Sequence, residues 1–289
     1  MRDVKGFCKL FDINIPNDEY FDYYIEQLSK TNKLQNVYDL ISLYEDFEKD
    51  CDDVLAYKIA KSNEVVQYIL NSYAYQELTC HPIVDHPTNK NFVYEDDTIY
   101  VSIDIIKANF ISFKKFYDKN EFGNSYADFL SKFDIHPVFA HSKSFRQFIF
   151  GNTNPKRQSK MQRAIMEELI TDLAPLKLDT LCVRADEVIY SIKDFSDLNE
   201  ILALVDQDRF KVQVFTVKRI DDFRVNTYFS HKGEKLVSEL VGCDGNKYFM
   251  FLKQYILNEP LDIKDLYFKY TGNAIAIWDV EGLKLSLNE

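Results

Sequence analysis

Glycine is scarce in this chain, with 8 residues in 289, which argues against Gly-rich loops as its main functional device. Cysteine is thin and scattered: Cys8, Cys51, Cys80, Cys182 and Cys243 show no paired spacing. They write neither a disulfide framework nor a metal knuckle, and a reduced, intracellular and cytoplasmic setting is expected. No run approaches the roughly 20 apolar residues of a membrane span. The opening "MRDVKGFCKLFDINIPNDEY" also lacks the apolar centre of a signal peptide. Positive charge is in deficit, 35 Lys and Arg against 46 Asp and Glu, a net −11. That balance disfavours a broad nucleic-acid-coating surface, so any site for a polyanion has to be local.

What is abundant is aromatic, 19 Tyr and 23 Phe, within a chain that is 46% hydrophobic and 28% charged. Such a chain folds around a proper core, and its length suits one large domain or a core with a smaller companion. The bias towards Tyr and Phe fits an AT-rich coding genome, viral or phage genomes among them.

One window breaks the acidic pattern. From Ile135 to Met166 there is no Asp or Glu, while Lys143, Arg146, Lys156, Arg157, Lys160 and Arg163 supply six positive charges. A solvated face normally mixes both signs, so the window is a candidate anion site as well as a candidate charged helix face.

Residues 1–90 read as a helical N-terminal region. "NDEYFDYYIEQL" opens with capping residues, and helical spacing continues through "LQNVYDLISLYEDF" and "DVLAYKIAKSNEVVQYIL". "CHPIVDHPTNKN" breaks the pattern with two prolines. Its Cys80, His81 and His86 lack zinc spacing and read as loop residues.

Residues 91–220 change character. "TIYVSID" alternates as a strand ending at Asp104, and "IKANFISFKKFYD" and "SYADFLSKF" follow with helical spacing. "NTNPKRQSKMQRAIMEELITDL" predicts a helix with Asn154 as N-cap, Pro155 at its first position and Met161, Ile165 and Leu169 as the buried stripe. Two strands flank Asp186 and Glu187 in "LCVRADEVIY", then a helix covers "DFSDLNEILALVD" and a strand "RFKVQVFTVKRI". Residues 221–289 form a C-terminal extension of strands and one helix.

With the helical insertion set aside, 98–218 reads β-α-β-β-α-β, the order of a ferredoxin-like α+β unit. In that topology Asp104 approaches the turn bearing Asp186 and Glu187. Gathered carboxylates repel and call for a cation, and hard oxygen donors select Mg²⁺ or Mn²⁺. Two such ions about 4 Å apart serve phosphoryl transfer. Read as a site, the basic window would then hold a triphosphate.

The motifs "VSIDIIKANF" and "VRADEVIY", with "RQFIFGNTNPKRQSKMQ" between them, resemble the palm domain of nucleic-acid polymerases and related nucleotidyltransferases. The resemblance covers about 98–218. "ADEVIYSI" and "SIDIIKANFISFKKF" are also similar to the tRNA-histidine guanylyltransferase family. Ile105 stands where that family carries a Gly, and the interval between the motifs is longer here. The resemblance implies a two-metal nucleotidyltransferase acting on nucleoside triphosphates, with an RNA or DNA end as partner and no membrane. It implies Asp104 and Asp186 as metal ligands, with Glu187 a third ligand or an orienting group. Arg146, Lys156, Arg157 and Lys160 become triphosphate contacts, and Asn109 or Phe110 lies where the sugar is sensed. For Lys156 and Arg157 the first turn of a helix adds its own attraction for anions. The competing class is a non-catalytic nucleic-acid-binding or assembly protein on the same fold, although the RNA-recognition signature Lys/Arg-Gly-Phe/Tyr-Gly/Ala-Phe is absent.

Overall fold

The computed structural model describes residues 33–72, 75, 92–117, 122–243, 247–269, 275–278 and 285–287. The helix expected in "NDEYFDYYIEQL" and the Cys80, His81 and His86 loop lie outside them. The described chain is mixed α/β with an open six-stranded antiparallel sheet. No described helix is long and apolar enough to cross a membrane.

The sheet takes its strands in the order β2-β3-β1-β4-β5-β6. These are β1 Ile99–Ile105, β2 Asp179–Val183, β3 Glu187–Ile192, β4 Phe210–Ile220, β5 Phe223–Phe229 and β6 Lys235–Val241. β1 lies in the middle, antiparallel to β3 on one side and to β4 on the other. The last two strands, assigned from sequence to the C-terminal extension, continue this same sheet. A three-stranded sheet of β7 Tyr267–Lys269, β8 Ile275–Trp278 and β9 Leu285–Leu287 follows.

Alternation along β1 gives the sheet two unlike faces. Val101, Ile103 and Ile105 are buried in a core with Val188 and Tyr190 of β3 and Phe210 and Val214 of β4. That core is closed by Ile165, Met166 and Leu169 of helix Pro155–Leu173 and by Leu198 and Ile201 of helix Ser196–Leu204. The other face carries Tyr100, Ile189, Phe215 and Val217, partly covered by Phe92 and Tyr94. No helix core packs there among the described residues.

A second core is helical and strongly aromatic. Helices α1 Lys33–Asp50 and α2 Val54–Asn71 supply Phe47, Val65, Val66 and Ile69. They meet residues from α3 Ala108–Phe116, α4 Tyr126–Ser131, α5 Pro137–His141 and α6 Lys143–Asn152. This core therefore draws on both sides of the sequence break near residue 90. Phe113 of α3, fully buried, contacts the rings of Tyr75, Tyr117, Phe122 and Phe150. Ile111 and Phe116 pack against both cores, so α3 joins the helical part to the sheet.

The helix Pro155–Leu173, α7, starts as its sequence predicts. The Asn154 side chain accepts a hydrogen bond from the Arg157 amide at 3.1 Å and Pro155 opens the first turn. Met161, Ile165 and Leu169 are its buried stripe. The helix Ser196–Leu204, α8, connects β3 to β4, and α9 Tyr248–Phe251 follows β6.

Candidate functional site

Asp104 is the sixth residue of β1 and its Cα partners are Glu187 on β3 and Lys211 on β4. Directly opposed residues share a face, so all three side chains rise from the helix-free side of the sheet. The turn Arg184–Asp186 delivers the third acid: the Asp186 carbonyl accepts from the Ile105 amide at 2.9 Å, pinning the turn to the end of β1. Burial, reinforced by the negative charges of Asp186 and Glu187, pushes the Asp104 carboxyl up to about 6, against the counteracting charge of Lys211.

Asp104 and Asp186 line one cavity of ≈ 280 Å³ with Lys107, Asn109, Phe110 and Arg146. Its floor is the turn from β1 into α3. Lys107 takes the left-handed conformation there, φ 49 and ψ 50, and no side chain caps the start of α3. The start of α3 thus has no side-chain cap and its residues Ala108, Asn109 and Phe110 line the cavity, and a helix start favours anions. Arg146 of α6 also lines the cavity, its guanidinium 5.5 Å from the Tyr126 ring centre. Burial lowers its pKa from the usual arginine range. Asn109 is fixed by Gln162 of α7, whose side-chain amide donates to it at 2.9 Å.

The structure brings together Asp104, Asp186, Arg146, Asn109 and Phe110. It holds Glu187 beside them but engaged: Ser102 Oγ donates to Oε1 at 2.6 Å and Arg184 Nη1 donates to Oε2. The rest of the basic window is dispersed. Arg157 donates to the Tyr75 carbonyl and stacks 4.4 Å over the Tyr75 ring. Lys156 and Lys160 are exposed on α7 and do not line the cavity. Arg163 is committed to Glu167 at 3.4 Å and to the Val183 carbonyl at 3.2 Å. The anion-attracting helix start predicted at Lys156 and Arg157 is occupied by its own Asn154 cap. The exposed start is that of α3.

Several participants were not singled out from sequence. Lys211 follows from counting the β4 register back from Phe215, which lies opposite Tyr100. Ser102 follows from the period of two that places it on the face of Asp104. The left-handed Lys107 left no signal, because a Lys there shows no positive-φ preference. Among the described residues no group of three or more His, Cys, Asp or Glu is arranged as a metal cage. Comparison with protein-family profiles, with curated proteins and with solved structures yields no match to this chain.

Proposed function

We propose that this chain is a metal-dependent nucleotidyltransferase of the polymerase-palm type, acting on nucleoside triphosphates and a nucleic-acid end. The observation that carries the reading is the cavity lined by Asp104 and Asp186, where like charges crowd, together with Arg146 and the start of α3. A cavity lined by two carboxylates and a guanidinium suits a ligand that brings both a cation and phosphates. The strand order β2-β3-β1-β4, with α7 and α8 against one face, supports a ferredoxin-like palm for this part of the sheet.

The donor set fits Mg²⁺ or Mn²⁺. Two carboxylates offering hard oxygens are what Mg²⁺ takes from protein, with phosphates and water completing its octahedron. Asp104 and Asp186 would hold it, and when bound it lowers the pKa of an attacking hydroxyl and neutralises phosphate charge. Arg146 and the amides at the start of α3 hold the phosphates, Asn109 and Phe110 bound the sugar, and Glu187 fixes the turn that carries Asp186. Lys211, opposite Asp104, moderates the repulsion in the acid pair.

Calorimetric titration of Mn²⁺ into the wild type, Asp104→Asn and Asp186→Asn tests the reading, together with pyrophosphate release from nucleoside triphosphates. The expected result is Mn²⁺ binding in the wild type that either substitution removes, and release that depends on both acids. A wild type indifferent to Mn²⁺ would leave a non-catalytic binding or assembly subunit, a role that the Glu187–Arg184 pair already suits.

A further inference from the structure

The helix-free face carries a second cavity, ≈ 350 Å³, lined by Arg184, Arg219 and Arg224 with Phe92 and Tyr94. Its volume lies in the range of small-molecule sites, about 300–1,000 Å³. Three guanidiniums in one cavity are not spillover from a basic surface, because the chain carries a net −11. Arg219 and Arg224 are direct partners across β4 and β5. Like charges so opposed are destabilising unless something offsets them. Asp221 and Asp222 of the β4–β5 turn line the same cavity, yet neither Arg219 nor Arg224 forms an ion pair among the described residues.

The arginines are nevertheless held in place. Arg224 stacks 4.4 Å over the Tyr94 ring and its Nε donates to buried Asn226 at 3.1 Å. Asn226 donates in turn to Tyr228, which donates to Glu239 at 2.7 Å. Arg184 reaches the cavity from the opposite side while pairing with Glu187. Its Nε is buried beside the Cys182 thiol. A guanidinium shared with a single carboxylate, two more without ion pairs among the described residues and an aromatic wall describe a receptor for a phosphorylated ring compound.

We propose that this cavity binds a small phosphorylated compound carrying a planar ring, and that binding draws Arg184 from Glu187 and releases that carboxylate towards Asp104 and Asp186. The binding half stands on the cavity alone; the coupling half rests on the metal reading above. A phosphate offers Arg184 more charge and more acceptor oxygens than the carboxylate it now holds. Glu187 then keeps only its bond from Ser102 and becomes available as a third ligand. The occupant is thus an activator of cation binding, acting through one shared arginine.

Adenosine 5′-monophosphate serves as the probe and inorganic phosphate as the control for the ring. In EDTA, the nucleotide should bind the full chain more tightly than phosphate does. Arg219→Glu, at an exposed position, should weaken it about tenfold. Mn²⁺ should then bind more tightly to nucleotide-saturated protein, with the same factor relating the nucleotide affinities. Arg184→Gln should reproduce the tighter Mn²⁺ binding with no nucleotide present. No nucleotide binding, or equal binding by Arg219→Glu, overturns the site. Equal affinity for phosphate and nucleotide overturns the ring. Mn²⁺ binding unchanged by nucleotide overturns the coupling. Absence of Mn²⁺ binding throughout defeats the metal reading and the coupling together, while Arg219-dependent nucleotide binding would still uphold the cavity.

Discussion

Asp104 stands between two strands that each offer it a charge, Glu187 on one side and Lys211 on the other. Burial and two acidic neighbours outweigh the single lysine, so its carboxyl holds a proton up to about pH 6 when folded, against 3.8 for the ordinary group. The folded state therefore binds this proton more tightly than the unfolded chain. The associated stability is full below about pH 4, is lost as pH rises to about 6, and is flat beyond. Asp104→Asn should stabilise the metal-free protein at pH 7, by on the order of 1 kcal/mol after allowing for solvent screening. The melting temperature should rise by about 2–4 °C, and the gain should vanish at pH 4. Melting curves at both values check this; a variant that melts lower at pH 7 would make Asp104 a structural acid. The same proton competes with a cation, so on the proposed metal reading Mn²⁺ affinity should climb from about pH 5 through 6 and level off above about pH 7, as calorimetry across that range would record.

Helices α3 and α7 begin in opposite ways, and the difference fixes which one serves the cavity. Asn154 closes the start of α7 from a left-handed-side conformation, φ 122. Asn154→Ala removes the cap and places a side chain poorly suited to that conformation, and should cost about 1–2 kcal/mol. Urea denaturation measures it. Lys107 begins α3 at φ 49 with no cap bond. Lys107→Gly relieves the backbone and should raise the melting temperature by about 2–4 °C, equivalent to roughly 1 kcal/mol. A decrease would mean the Lys107 side chain holds the turn.

Elements of this kind were unevenly legible. The α7 stripe Met161, Ile165 and Leu169, its Asn-Pro start, and the alternation of β1 and β4 were written plainly, because period and capping are local. Asp104 and Asp186 could be nominated from sequence because strand order brings chain-distant ends together, and Arg146 because it stands in the carboxylate-free window. The sorting of the basic window could not. Whether Arg157 meets an anion or the Tyr75 carbonyl depends on where α2 ends in space, and no periodicity near residue 157 records that. The membership of β5 and β6 in the main sheet was hidden for the same reason, since a hairpin after β4 can continue a sheet or leave it.

At the scale of the whole molecule, two cores meet at α3, and the cavity lies at their junction. Phe113 secures the helical side, and Phe113→Ala should cost about 3–5 kcal/mol, measurable by denaturant unfolding. Because α3 also contributes Asn109 and Phe110 to the cavity, on the proposed function that loss should weaken nucleotide binding by the folded variant as well.

The position of β1 also has a bearing on when the molecule can work. It is made well before both strands that flank it, β3 and β4, which begin at residues 187 and 210. The helices between can fold from nearby contacts, whereas the strand carrying Asp104 has to wait for segments far along the polypeptide. Long-range pairing of this sort is slow. During refolding, amides of Ile99–Ile105 should gain protection from hydrogen exchange later than those of α7, as pulse labelling would resolve. On the ribosome, β1 would be flanked on both sides only once β4 has emerged, more than a hundred residues after Asp104 is made.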